Sequence, residues 1–239
     1  MTSVPFQIVG DRAAAILIVA DHASSHVPAG IDLGVDPALL NEHVALDIGV
    51  AEVAALLVAT GDCCAILGGV SRLVIDYNRE PDADALVPVQ SDGHEIPGNR
   101  GIDIEGRLAR FHGPYHEAVA KLSGQAHAPF ILSLHSFTPG LRSRPEEVRP
   151  WEIGILYNDD DRAPRIAIPA LEAAGLVVGD QQPYSGKQLN ATMNRHAEAH
   201  GRPYLGVEMR QDIVKDVAGQ RRFCEILHHI LMECRNKIT

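Results

Sequence analysis

Residues 13–20 of the chain, Ala-Ala-Ala-Ile-Leu-Ile-Val-Ala, are apolar at every position. A strand that is covered on both faces of a sheet shows such a continuous run, whereas a strand with one face in water alternates between apolar and polar residues. Shorter apolar runs recur along the chain and alternate with longer segments of helical period. This pattern predicts an α/β fold of three layers, in which helices cover both faces of a mostly parallel or mixed central sheet.

Several segments can be assigned to strands, helices and loops. The expected buried strands are 13–20, 63–67, 73–77, 130–134, 153–157, 176–178 and 205–209. Asp36-Pro37 is typical of a helix start and Gly61 closes that helical region, while apolar spacings of three and four predict helices over 104–125 and 223–234. The stretches 80–101 and 138–150 are too long for simple connections and are typical of loops that serve a site. Because neither a linker nor a repeat is visible, we expect residues 1–239 to form one domain.

The composition excludes several classes of protein. Of 239 residues, 46% are hydrophobic and 22% charged, as in globular rather than disordered chains. A formal net charge of −10 argues against nucleic acids and anionic membranes as partners. No apolar run approaches the ~20 residues that cross a bilayer. The start, Met-Thr-Ser-Val-Pro, lacks an export signal and the four cysteines form no disulfide framework, so we expect a cytoplasmic enzyme. Whether copies associate into a homo-oligomer stays open.

Polar side chains follow the predicted strands at the points where these strands end. His22 follows the first strand, Asn78-Arg79 follow the strand 73–77, His135 follows 130–134, and Glu208 lies at the end of the late strand. Ligands of open α/β sheets bind beyond the carboxyl ends of the strands. If the four strand ends converge, they bring two imidazoles, a carboxylate and a guanidinium to one edge, which is what a hydrolytic zinc site requires.

A catalytic zinc ion takes three protein ligands and leaves a fourth position for water. His22 and His135 are the natural imidazole ligands, and Asp47, at the turn before the apolar segment 48–58, is the first choice for the third. Glu208 would be the general base. His26 is the alternative to Asp47, although the nearby Pro28 disfavours a helical pair with His22. Without further context, a histidine at a strand end is more often a hydrogen-bonded structural residue than a ligand.

Residues 71–79, Ser-Arg-Leu-Val-Ile-Asp-Tyr-Asn-Arg, resemble the Ser-Arg-x-x-x-Asp-x-Asn-Arg signature of the N-formylglutamate amidohydrolase family. The resemblance extends from about residue 19 to residue 210 and includes further landmarks in the family's order: Asp21-His22-Ala23-Ser24, Asp47, Tyr115-His116, Leu134-His135-Ser136, Thr192 to Arg195, and Glu208. The family is similar to zinc carboxypeptidases in its metal-bearing core. The resemblance therefore implies a phosphorylase/hydrolase-like, zinc exopeptidase-like fold.

The resemblance also implies site residues and a substrate. It places one zinc ion on His22, Asp47 and His135, with Glu208 as general acid/base. It places Arg72, Asn78 and Arg79 near the substrate, and Thr192 lies in a matching segment. Further arginines that could bind the substrate's carboxylates are Arg142, Arg144 and Arg195. The implied reaction removes a formyl or another small acyl group from an N-acylated acidic amino acid. The distribution of charge supports such a small anionic partner independently. A chain of net charge −10 needs a locally positive site to attract an anion, and clustered guanidinium groups, which bind carboxylates in a bidentate manner, can form one.

Three positions depart from the family's pattern. Ser133 stands where an Asp two residues before the second zinc histidine is typical, Ile48-Gly49 stand where Trp-His is typical, and Ser25 leaves no His-x-x-Glu pair. The first two changes alter the support of the ligands and the walls of the pocket. They leave two alternatives open, namely the same centre acting on another N-acyl amino acid or peptide terminus, and a non-catalytic binding protein.

Two histidine pairs have a spacing of four residues on predicted helices: His112/His116 and His196/His200. No strand-end carboxylate accompanies either pair. We expect a solvated or capping role for them rather than metal binding.

Overall fold

A seven-stranded mixed sheet forms the centre of the computed structural model, which describes residues 4–125 and 129–238. The described residues do not include 1–3, 126–128 and 239. The predicted lack of an export signal concerns residues 1–5, so it lies partly outside the described residues. The strands of the sheet, in spatial order, are β1 (Phe6–Val9), β3 (Cys63–Gly68), β2 (Ile16–Ala20), β6 (Phe130–Phe137), β9 (Tyr204–Arg210), β7 (Ile153–Leu156) and β8 (Val178–Asp180). The remaining strands, β4 (Gln90–Ser91) and β5 (His94–Glu95), form a separate hairpin.

The strands that position the site run parallel. β3, β2, β6 and β9 are parallel neighbours, whereas β1 is antiparallel to β3 and β7 is antiparallel to β9. A parallel pair requires a crossover, and the helices of the fold supply it. The carboxyl ends of β2, β6 and β9 consequently lie side by side at one edge of the sheet.

Helices cover both faces of the sheet. They are α1 (Val50–Val58), α2 (Ile104–Arg107), α3 (Gly113–Ser123), α4 (Pro164–Ala173), α5 (Ala191–His196) and α6 (Val217–Ile238). Ile16 and Ile18 of β2 pack in one cluster with α1, α4 and α6, whereas Leu17 and Val19 pack in another with α3 and α5. Every residue of β2 is therefore buried, which explains its continuous apolar run. The expected three-layer α/β fold is confirmed.

The strand predicted at 73–77 is wrong. Residues 71–79 form a chain of turns, although Leu73, Val74, Ile75 and Tyr77 are fully buried. The apolar run therefore indicates burial and not a strand. Side chains, in place of a neighbouring strand, provide hydrogen bonds to the backbone: the Arg107 guanidinium donates to the Val74 carbonyl at 2.7 Å.

Other boundaries shift by a few residues. The strand expected at 176–178 runs from Val178 to Asp180, and the edge strand β1 is not among the predicted strands. Asp36 caps a 3-10 turn over Pro37–Asn41, while α1 begins only at Val50. The helix predicted over 104–125 contains a π-helical turn at Leu108–His112 between α2 and α3. Within the described part of the chain, no helix combines the length and apolar character that a bilayer crossing requires.

Candidate metal centre and substrate cavity

Two histidines and one aspartate meet at the carboxyl ends of the parallel strands. His22 follows β2, and His135 in β6 lies opposite Glu208 in β9. Asp47 arrives from the turn before α1, where its backbone N–H donates to the His22 carbonyl at 3.0 Å. His22, Asp47 and His135 are all buried, and one potential ligand atom from each lies within 4.8 Å of the other two. The structure thus brings together the three residues that the sequence proposed as metal ligands.

A carboxylate lies behind each of the two imidazole rings, as a hydrogen-bond partner of His22 and as a close neighbour of His135. Nε2 of His22 lies 2.7 Å from Oδ1 of Asp76, and Nε2 of His135 lies 3.5 Å from Oδ2 of Asp21. The hydroxyl of Tyr115 donates to the other oxygen of Asp21 at 2.7 Å. Each ring consequently turns Nδ1 toward Oδ2 of Asp47, at 3.3 Å for His22 and 2.9 Å for His135. Paired carboxylates of this kind orient metal-binding histidines in proteins.

The three inward-facing atoms fit a divalent cation. A neutral imidazole Nδ1 and an ionised carboxylate oxygen carry lone pairs and no hydrogen, so they repel one another unless a proton or a cation lies between them. Ligand atoms of tetrahedral zinc are about 3.3–3.6 Å apart, close to the 3.3 and 2.9 Å found here. Among the described residues, His22, Asp47 and His135 are the one group of three or more histidine, cysteine or acidic side chains with this proximity.

The electrostatic field of the centre attracts positive charge. Burial lowers the pKa of both imidazoles, but the surrounding carboxylates outweigh it, raising the pKa of His22 and holding that of His135 well above its usual range. Burial opposes ionisation of Asp47, yet the His22 ring and Arg72 hold its pKa well below the ordinary value. A field that favours imidazolium also favours a metal cation in the same place.

Arg72 links two carboxylates of the centre. Its guanidinium donates to Oδ1 of Asp47 at 2.9 Å and to Oδ2 of Asp76 at 3.3 Å. These bonds leave Oδ2 of Asp47 facing the two imidazoles. Arg72 thereby holds Asp47 in position, in addition to lining the cavity.

Glu208 combines burial with an unpaired oxygen. Burial raises its pKa to about 7, an effect that Asp47 reinforces and His135 opposes. Its Oε2 atom is buried and has no hydrogen-bond partner among the described residues. A carboxylate with a pKa near neutrality and a vacant acceptor atom in a cavity is suited to general acid/base chemistry.

A cavity of about 320 Å³ opens above these side chains. Its walls include parts of both long loops that the sequence singled out, 80–101 and 138–150. Asp92, in the turn between β4 and β5, joins them, because its carboxylate accepts hydrogen bonds from the backbone N–H groups of Arg142 at 2.9 Å and Ser143 at 2.8 Å. His43 contacts the same carboxylate at 3.0 Å.

The proposed substrate-binding residues fall into two groups. Arg72, Asn78 and Arg79 line the cavity. Three others are not among its lining residues: Arg142, Thr192 and Arg195. The first is exposed on its loop, the second is buried behind Asn78 with its N–H bonded to the Asn78 side chain at 3.0 Å, and the third pairs with Glu80 at 2.9 Å.

The departures from the family signature have structural counterparts. Gly49 has a φ of +83°, and an added Cβ would lie 2.4 Å from the Val214 carbonyl oxygen, so this position requires glycine. Ser133 offers no carboxylate to His135, and Asp21 occupies that place. His26 is exposed and lies outside the ligand cluster, so Asp47 completes the centre.

Three residues of the site were not assigned from the sequence. Asp21 and Asp76 lie behind the histidines, and the sequence carries a signal for both, since Asp21 precedes His22 and Asp76 belongs to the family signature in residues 71–79. Tyr184 lines the cavity and its hydroxyl accepts a hydrogen bond from Arg149 at 3.1 Å, but no motif marks it. Arg144, a further arginine candidate of the sequence, also lines the cavity.

Comparisons with known proteins identify the fold and the family of the chain. The chain is similar to a gene product of Agrobacterium tumefaciens of known structure, with a TM-score of 0.90 and 28% identity over 98% of this chain and 95% of that one. Its fold is also similar to that of N-formylglutamate amidohydrolase from Ralstonia eutropha JMP134, with a TM-score of 0.78 and 17% identity over 98% of each chain. No curated protein sequence matches the chain. The N-formylglutamate amidohydrolase family profile matches residues 14–214, and the chain therefore belongs to that family of hydrolases.

Proposed function

We propose that the chain is a zinc-dependent amidohydrolase that removes a formyl or another small acyl group from an N-acylated acidic amino acid, with N-formylglutamate as the reference substrate. The observation that carries the proposal is the convergence of three buried potential ligand atoms, from His22, Asp47 and His135, in the cavity that also holds the unpartnered oxygen of Glu208. Family membership supports the same reaction class.

The donor set favours zinc among divalent ions, because two imidazoles and one carboxylate are ligands that catalytic zinc sites use. Nδ1 of His22, Oδ2 of Asp47 and Nδ1 of His135 would hold the ion. When bound by three such ligands, zinc lowers the pKa of a water molecule to roughly 7 and polarises a carbonyl oxygen.

Glu208 would move the proton of the reaction. It accepts a proton from the attacking water as the new bond between oxygen and the acyl carbon forms. It then delivers this proton to the leaving nitrogen as the carbon–nitrogen bond breaks, so that a carboxylic acid and an amine result. Its pKa of about 7 suits both halves of this transfer at neutral pH.

Arg79 and Asn78 would hold the substrate's carboxylates. Both line the cavity, and among the described residues the Arg79 guanidinium has one ionic contact, with Asp76 at 3.8 Å, so it can pair with a ligand. A small anionic amino-acid derivative therefore fits the cavity better than a nucleic acid or a membrane surface does. A cytoplasmic location is part of the proposal, and the four free, buried cysteines support it.

The test combines metal analysis with an activity assay. Protein purified without added metal is analysed for zinc, and hydrolysis of N-formylglutamate is measured for the wild type and for Glu208→Gln. We expect a chelator to abolish activity, zinc to restore it, and Glu208→Gln to lower kcat at least about 100-fold while the protein still binds zinc. Activity that is insensitive both to the chelator and to Glu208→Gln would rule out the mechanism.

A second candidate concerns longer substrates. A cavity of about 360 Å³, lined in part by Trp151, adjoins the first and shares Arg144, Tyr184 and Leu189 with it. This continuity favours substrates with a larger acyl group or with a peptide extension beyond the acylated residue.

A substrate panel separates the two candidates. Rates are compared for N-formyl, N-acetyl and N-succinyl glutamate and for an N-formylglutamyl dipeptide, with the wild type and with Trp151→Ala. Selective loss of the longer substrates in the variant would support the second candidate, and a wild type restricted to N-formylglutamate would refute it. Tight binding of N-formylglutamate without turnover in zinc-loaded protein would indicate a non-catalytic binding protein.

A further inference from the structure

The segment that carries Arg72, Asn78 and Arg79, residues 71–79, is buried without belonging to the sheet. None of the described strands pairs with this binding segment. Its carbonyl groups nevertheless need partners, because an unpaired buried carbonyl costs about as much as a lost hydrogen bond. The source of those partners determines how the segment is held beside the cavity.

One continuous helical stretch, residues 104–123, supplies three of these partners. Arg107 donates to the Val74 carbonyl at 2.7 Å. Two histidines donate to the carbonyls of Tyr77 and Arg79, the residues on either side of Asn78. Nε2 of His116 lies 2.9 Å from the Tyr77 carbonyl oxygen, and Nε2 of His112 lies 3.1 Å from the Arg79 carbonyl oxygen. The π-helical turn ends at His112, and the two rings pack against each other with their centroids 4.2 Å apart. π-Helical turns are frequent at functional sites.

The hydrogen bonds determine the protonation pattern of these histidines. A carbonyl oxygen only accepts, so Nε2 of His112 and Nε2 of His116 must carry the hydrogen. Nδ1 of His116 then accepts from Nε2 of His196 at 2.9 Å. Burial lowers the pKa of His116 to about 3 and that of His196 to about 4, and it also lowers the pKa of His112. All three rings are therefore neutral donors at neutral pH.

The helix α5 completes the support from the other side. The backbone N–H of Thr192 donates to the side-chain oxygen of Asn78 at 3.0 Å, and its hydroxyl donates to the Tyr77 carbonyl at 3.3 Å. The same helix carries His196. The peptide plane before Asn78, the peptide plane after Arg79 and the Asn78 side chain are consequently fixed by residues that do not line the cavity.

We propose that His112 and His116 are positioning residues, which fix the peptide groups of Tyr77 and Arg79 and thereby direct the Asn78 and Arg79 side chains into the cavity. The orientation of a peptide plane sets the direction of the neighbouring Cα–Cβ bonds. Misplacement of a binding group by about 1 Å can cost a large factor in rate or affinity. The inference rests on the proposed function only in assigning substrate binding to Asn78 and Arg79.

The first test removes each hydrogen bond while keeping an aromatic ring. His112→Phe and His116→Phe should each raise KM for N-formylglutamate about 10-fold, with kcat changed less than about 3-fold and zinc content unchanged, since the metal ligands are not contacted. Gln can place an amide N–H near the position of Nε2, so His112→Gln and His116→Gln should restore most of the lost KM. Val119→Ala, which alters buried packing of the same helix α3 without touching a polar group, is the matched control and should leave KM unchanged.

Two kinetic outcomes would overturn the inference. One is an equal effect of the Phe and Gln variants on KM. The other is a pattern like that of Val119→Ala, in which only the fraction of folded protein falls and the KM of the folded enzyme stays at the wild-type value.

A coupling measurement sharpens the assignment. If His112 acts through Arg79, then His112→Phe should add little to the KM of Arg79→Ala, although each single substitution raises KM. Fully additive effects would contradict action through Arg79.

A second readout does not depend on the substrate. Nitrogen NMR of imidazole-labelled wild-type protein should find His112 and His116 as neutral rings with hydrogen on Nε2. A ring that is protonated on Nδ1 at neutral pH would refute the proposed bonds even if the enzyme is active. Absence of N-formylglutamate hydrolysis by the wild type would instead refute the proposed function, and the NMR result would still decide the inference.

Discussion

At the scale of single residues, two carboxylates lie behind the histidines of the proposed metal centre. Asp76 lies behind His22 and Asp21 behind His135. Asp21 is fully buried, and Tyr115 bonds to one of its oxygens. The His135 ring thus faces a carboxylate from the residue that follows β2, whereas Ser133 of its own strand offers none.

Substitution of Asp21 tests this division of roles. Asp21→Asn keeps the size of the side chain and an oxygen for Tyr115 but removes the negative charge beside His135. We expect zinc affinity to fall about 10–100-fold, as is typical when a partner of a ligating histidine is lost. Competition with a chromophoric chelator measures it. Ser133→Ala is the control and should bind zinc like the wild type, and a larger loss in Ser133→Ala than in Asp21→Asn would contradict the assignment.

Tyr184 offers a hydrogen-bond donor inside the cavity. Its oxygen accepts from Arg149 at 3.1 Å, which leaves its own hydrogen for a substrate oxygen. Tyr184→Phe should therefore lower kcat/KM about 10-fold without loss of zinc. Tyr157→Phe removes a hydroxyl bonded to Asp180 at 2.9 Å, outside the cavity, and should have no kinetic effect. Equal kinetics for Tyr184→Phe and the wild type would exclude the role.

At the scale of elements, the sequence predicts what depends on local patterns and misses what depends on distant partners. The runs at β2, β6 and β9 were recognised because helices on both faces make each strand apolar throughout. The segment 73–77 is equally apolar, but side chains of Arg107 and His116, which are remote in sequence, bond to its carbonyls and replace a sheet neighbour. No local signal distinguishes that case from a strand.

The entry to α1 shows how an element positions a ligand. Gly49 precedes α1 with a left-handed φ of +83°, and Asp47 lies two residues earlier. Gly49→Ala would strain this φ and place Cβ 2.4 Å from the Val214 oxygen.

The comparison with another left-handed glycine separates strain from collision. Gly61 has a φ of +92° and nothing within 4 Å of an added Cβ, so Gly61→Ala should cost only about 1–2 kcal/mol of unfolding free energy. Gly49→Ala should lower the free energy of unfolding by about 1–3 kcal/mol more than Gly61→Ala does. It should also weaken zinc binding, because Asp47 is displaced. Urea unfolding and zinc titration measure both effects. Similar losses in the two variants would contradict the close contact with Val214.

At the scale of the whole molecule, the site assembles residues that are distant from one another along the chain. The sequence located His22, Asp47, His135 and Glu208, because strand ends and the family signature mark them. It could not locate Tyr184, or the contact between Asp21 and His135, since these depend on which strands become neighbours. The substrate candidates outside the cavity, such as Arg142 and Arg195, show that an arginine near a motif in sequence need not line the cavity.

Buried neutral histidines make the molecule as a whole sensitive to acid. The pKa of His116 is lowered to about 3 and that of His196 to about 4 in the fold, while both rings take up protons near pH 6.5 when the chain unfolds. At these two rings the unfolded state thus binds more protons below pH 6.5, so their contribution to stability falls as the pH decreases. Each ring contributes a slope of about 1.4 kcal/mol per pH unit. Urea unfolding between pH 7.5 and 5 should show a shallower slope for His116→Gln than for the wild type, and equal slopes would contradict neutral burial.

The central claim is that His22, Asp47 and His135 bind one divalent ion, and zinc stoichiometry tests it most directly. Metal-stripped protein is titrated with zinc and analysed after gel filtration, together with His135→Gln and with His228→Gln, whose histidine pairs with Asp62 away from the centre. We predict one zinc per chain in the wild type and in His228→Gln, and loss of that zinc in His135→Gln. Zinc retention in His135→Gln equal to that of the wild type, or a wild type that binds no zinc, would contradict the account.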